Sequence, residues 1–110
     1  MNKGDYPDAL KYFIDCLKIR ETLNDKEGIA NVYHDIAQVY DYQGISDKAL
    51  DYYERCLKLK EQLNDKVGIA GVYSDMGLIY DIAGNYEKAI RYLTLGLKIR
   101  EEIKDSVNCM

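Results

Sequence analysis

The chain has 110 residues, a formal charge of −4 and an isoelectric point near 4.9. That acidic balance argues against nucleic acid, whose phosphates are met by clustered Lys and Arg, and against an anionic membrane surface. Hydrophobic residues at 47% and charged residues at 31% describe a folding chain, and no apolar run approaches the roughly 20 residues that span a bilayer.

An internal repeat organises everything else. With Gly4, Gly44 and Gly84 in register, residues 4–43 lie over 44–83 without a gap, and about half of the aligned positions are identical. The period is about 40 residues, and a partial third copy begins at Gly84. The first predicted helix covers 6–23, with Asp5 as its cap, Pro7 in its first turn and Leu10, Phe13, Ile14 and Leu17 along one side. The second covers 26–43. Its Ile29, Val32, Tyr33, Ile36, Val39 and Tyr40 recur at steps of three and four, and Gly44 supplies the left-handed residue that stops it. The third, 47–63, is expected to take Ser46 as N-cap and to carry Ala49, Leu50, Tyr53, Cys56, Leu57 and Leu59 on one face. Asp65 caps a fourth helix over 66–83, and a fifth covers 86–104.

Links this short make consecutive helices antiparallel, and stripes that no helix can bury alone are buried by stacking. The expected class is therefore all-α: antiparallel helix-turn-helix repeats stacked as an α-solenoid, in one domain of 1–110. Within it, 1–24 is the second helix of an incomplete repeat, 25–64 and 65–104 are full repeats, and 105–110 starts a truncated repeat or a tail.

These residues resemble the tetratricopeptide repeat. The aromatic, apolar-small pair and aromatic of that family's first helix match Tyr33, Ile36-Ala37 and Tyr40, and again Tyr73, Met76-Gly77 and Tyr80. Its second helix matches Gly4, Tyr6, Ala9, Phe13 and Cys16, then Gly44, Ala49, Tyr53 and Cys56, then Gly84, Tyr86, Ala89, Leu93 and Gly96. Ser46 and Leu93 depart from the expected aromatics, and Glu21, Glu61 and Glu101 stand where the family has a helix-ending Pro. The repeat is thus an extended variety, similar to those of cell-polarity adaptors and bacterial peptide-sensing regulators. The resemblance implies a right-handed solenoid of about two and a half units. It also implies a non-catalytic scaffold that binds a protein or extended peptide along a concave face.

On that resemblance the partner-binding positions are Asn31, His34, Asp35, Gln38, Asp41 and Tyr42, followed by Ser74, Asp75, Leu78, Asp81 and Ile82. They include four Asp and no Lys or Arg. Family members that clamp a C-terminal carboxylate use Lys, Arg and Asn there, whereas Asp35 and Asp75 stand here, so a neutral or basic partner is expected.

Chemistry is sparse. His34 is the single histidine and has no nucleophile or ligand set beside it in the sequence, so no catalytic residue, metal site or cofactor is expected. Cys16 and Cys56 recur at the small-residue packing position and read as buried core thiols, and Cys109 as an exposed one. An odd, unclustered cysteine set and a start without a secretory apolar core suit a cytoplasmic setting. The chain opens on a second helix and neither end reads as a polar cap, so Leu10, Phe13, Ile14 and Leu17 should form an exposed apolar face. Either more repeats flank this chain or it homo-oligomerises through that face.

Overall fold

The repeated stripes fold as five α-helices: α1 (Tyr6–Thr22), α2 (Lys26–Gln43), α3 (Ser46–Gln62), α4 (Lys66–Ile82) and α5 (Tyr86–Asn108). The computed structural model describes residues 6–108, and side chains as far as 104. Among these there is no strand. The expected Asp5 cap, Gly4 and the Cys109 thiol lie outside the described residues.

One residue closes each inter-helix link by taking a positive φ: Asn24 (54°), Gly44 (79°), Asn64 (55°) and Gly84 (85°). Each link is a Schellman turn. Behind Gly44, Ile45 N–H donates to Tyr40 O at 2.9 Å and Gly44 N–H to Asp41 O at 3.0 Å. Behind Asn64, Asp65 N–H donates to Lys60 O at 2.9 Å and Asn64 N–H to Glu61 O at 3.0 Å. Asn tolerates the left-handed region because its short amide bonds locally, so it alternates with Gly at steps of 20 residues.

Two boundaries differ from expectation. Helix α5 runs to Asn108 instead of ending at 104. Lys104 stands where Asn24 and Asn64 stand, and its long side chain gives the left-handed turn no such relief. Helix α3 begins at Ser46 itself, so the cap place falls on Ile45, whose carbonyl accepts from Ala49 N–H at 3.1 Å. The turn at Gly44 sets that register and leaves Ser46 one residue too late to be the cap.

The chain forms two compact units, Met1–Leu59 and Lys60–Met110. In the first, α1 packs on α2, and α2 on α3. Ala30, Val32, Ile36, Ala37 and Val39 of α2 are buried, as are Ala49, Tyr53 and Cys56 of α3. Tyr52 lies parallel to Tyr40 at 5.8 Å and tilted against Tyr33 at 5.9 Å, with the Arg55 guanidinium 5.0 Å from its ring centre. Helix α1 has no buried residue, so Cys16 is only half-buried and is not the core thiol expected, whereas Cys56 is fully buried.

In the second unit α4 packs on α5, with Gly77 against Ala89 and Leu93, and Gly96 against Ala70; Val72, Met76 and Ile79 of α4 are also buried. Tyr92 repeats the aromatic arrangement, stacked on Tyr80 at 5.5 Å and tilted on Tyr73 at 5.9 Å. Leu93, the departure from the aromatic pattern, is matched at Gly77: a Cβ there would lie 2.7 Å from Leu93 Cγ and 3.3 Å from Ala89 O. The first copy has Ala37 and Tyr53 at these two positions.

Candidate functional site

The helices that carry the expected binding residues, α2 and α4, start from the same device. Asp25 Oδ1 accepts from Gly28 N–H at 3.0 Å and Asp65 Oδ1 from Gly68 N–H at 3.0 Å, satisfying a free donor at each helix start. The second oxygen of each takes a cation from the last turn of the preceding helix: Arg20 Nη1 to Asp25 Oδ2 at 3.0 Å, and Lys60 Nζ to Asp65 Oδ2 at 3.1 Å. A side chain at Gly28 would collide with the Asp25 carboxylate, and one at Gly68 would come within 2.6 Å of Asp65 Oδ2. The Gly68 N–H first, and the Lys60 ammonium second, hold the Asp65 carboxyl below the usual carboxylate range. The capping aspartate was legible in the sequence. The cation five residues before it and the glycine three after it were not singled out, although both recur in the two copies.

None of the eleven expected face residues enters the core. On α2, Asn31 and Tyr42 are exposed, and His34, Asp35, Gln38 and Asp41 are half-buried. On α4, Leu78, Asp81 and Ile82 are exposed, and Ser74 and Asp75 half-buried. The two faces differ in character. That of α2 is polar, while α4 presents Leu78 at 53% and Ile82 at 83% exposure. His34 is held by packing, its ring edge-on to Tyr53 at 5.5 Å and 66°. Burial raises the Asp35 carboxyl above its usual range, opposed by the charge of neighbouring His34.

The expected apolar face on α1 is less open than its sequence implied, because Leu10, Phe13 and Leu17 are half-buried and only Ile14 is exposed. A second stripe was missed. Tyr86, Ile90, Leu93 and Leu97 follow one side of α5 and are all exposed, Ile90 at 65% and Leu97 at 56%. Their spacing of four, three and four was a readable signal.

Among the described residues no three His, Cys, Asp or Glu side chains are grouped so as to hold a metal ion. No described helix is long and apolar enough to cross a membrane.

The family model for the tetratricopeptide repeat matches residues 1–62 and again 46–102. No curated protein sequence matches the chain significantly. The helix-turn-helix layout, the recurrence of helix starts at Lys26 and Lys66, and the family match over most of the sequence agree. The chain belongs to the tetratricopeptide repeat family.

Proposed function

We propose that this chain is a non-catalytic interaction module that takes a partner protein or extended peptide on the outward sides of α2 and α4, within a larger signalling or regulatory assembly. The family membership supports an interaction role, since tetratricopeptide repeats are generally protein–protein interaction modules. The observation that carries the choice of surface is that every residue of the two sets is half-buried or exposed, while the same helices commit their other sides to the core. Exposed Leu78 and Ile82 offer apolar contact, and the aspartates favour a neutral or basic ligand over an acidic one.

The test is selection from a randomised peptide library displayed on phage, using the full chain as bait. Peptides should emerge whose affinity falls about tenfold on Leu78→Arg or Asn31→Lys. Selected peptides indifferent to every substitution on α2 and α4 would overturn the assignment of this surface.

A second reading rests on the α5 stripe. Its exposure suits homo-oligomerisation, which predicts a molar mass that rises with concentration and falls back on Ile90→Asp with Leu97→Asp.

A further inference from the structure

Asp35 is the odd member of the α2 face. Its neighbours Asn31, His34 and Asp41 are engaged with other groups, and so is Asp75, its counterpart in the second copy. Asp35 itself forms no hydrogen bond or ion pair among the described residues, although it is half-buried. A carboxylate partly removed from water costs folding free energy unless it is compensated, and the charge of neighbouring His34 offsets the burial only in part. The natural compensation is a cation supplied from outside.

The surroundings fit one. Asp35 lines a cleft of about 250 Å³ between α1 and α2, together with Tyr12, Phe13, Cys16, Arg20 and Asn31. That volume is below the range of sites for whole small molecules and suits a single side chain. Tyr12 and Phe13 meet edge to face at 5.5 Å and give the cleft an aromatic wall, which attracts cations. The one fixed cation in the lining, Arg20, is already bound to Asp25 at 3.0 Å. The carboxylate in the lining that no hydrogen bond or ion pair holds is that of Asp35.

We infer that this cleft is a subsite for one basic side chain, arginine or lysine, of an extended partner peptide, with Asp35 as its counter-ion and Tyr12 and Phe13 as its walls. This rests on the proposed interaction role and adds a chemical requirement to it. The acceptor is a lone carboxylate in an aromatic cleft, so the ligand chemistry is a cation on a flexible stem.

The experiment takes peptides selected from the phage library and measures them by calorimetry in two versions. One keeps each basic residue, and the other replaces arginine by citrulline or lysine by acetyl-lysine, which preserves shape and removes charge. Both are titrated into the wild-type chain and into Asp35→Asn. The expected result is that removing one particular charge weakens binding about tenfold on the wild type and leaves binding to Asp35→Asn nearly unchanged, the mark of a coupled pair. Asp35→Asn should keep its thermal midpoint or raise it, because no hydrogen bond or ion pair is lost and the burial of the charge outweighs the pull of His34. Selected peptides that lack a basic position, or lose equal affinity on both proteins, would overturn the subsite and leave the interaction role standing. A library that yields no binder would overturn both.

Discussion

Asp65 ties three residues together: it caps α4 at Gly68, pairs with Lys60, and leaves no room for a Cβ at position 68. Its carboxyl is held below the usual range, so the unfolded chain binds more protons than the folded one in the window between the two values. The stabilisation is therefore complete above the ordinary carboxylate range near about 4 and disappears as pH falls through the lowered folded value. Asp65→Ala should cost on the order of 1–2 kcal/mol at neutral pH, and the deficit should shrink as the solution is acidified, as followed by urea unfolding across pH. The glycines of α4 make a sharper contrast. A Cβ at Gly71 meets nothing within 4 Å, so Gly71→Ala should raise stability by about 1 kcal/mol through helix propensity alone. Gly77→Ala drives a methyl into Leu93 and should cost about 1–3 kcal/mol. Thermal unfolding of the two variants should move in opposite directions.

At the scale of the helix, one residue in twenty decides where each element stops. Gly44 and Gly84 were readable as stops because glycine announces the left-handed turn, and the helix limits read from the stripes agree with α1 to α4 to within a residue. Asn24 and Asn64 were not read that way, since asparagine serves equally at caps and in turns and only the backbone shows which role it takes. The same signal explains the overrun of α5. Lys104→Asn would give Ile-Asn-Asp where the earlier links have Leu-Asn-Asp, and amide and Cα chemical shifts of 105–108 should then lose their helical values. Shifts that stay helical would mean that the residue at 104 is not what sets the end of α5. The ion pairs Arg20–Asp25 and Lys60–Asp65 escaped a sequence reading for a related reason. Five residues apart is not a neighbouring distance on a helix, and the pair meets only because a Schellman turn folds the chain back.

For the molecule as a whole, the class of fold was legible in the period and its apolar steps, and so was the exclusion of the eleven α2 and α4 residues from the core, but the open stripe on α5 was not. Nor could the state of each surface group be read. Asp35 and Asp75 are the same residue at the same place in the repeat, yet Asp75 is engaged with another group while Asp35 has no hydrogen bond or ion pair and only the charge of neighbouring His34 beside it. Likewise Leu93 and Tyr53 occupy one repeat position, but Tyr53 is 2% exposed and Leu93 38%. Burial depends on which neighbours a copy has, and a repeat pattern is blind to that difference. The α5 stripe makes a prediction at this scale: Ile90→Asp with Leu97→Asp should leave peptide affinity intact while abolishing any concentration-dependent rise in mass, as measured by light scattering.

The most direct test of the interaction role is an amide chemical-shift map of the full chain titrated with a peptide selected from the displayed library. Perturbations should gather on Asn31, Asp35 and Gln38 of α2 and on Ser74, Leu78 and Ile82 of α4, with the outer residues Ile90 and Leu97 of α5 unmoved. Perturbations confined to α1 and α5, with α2 and α4 silent, would contradict it.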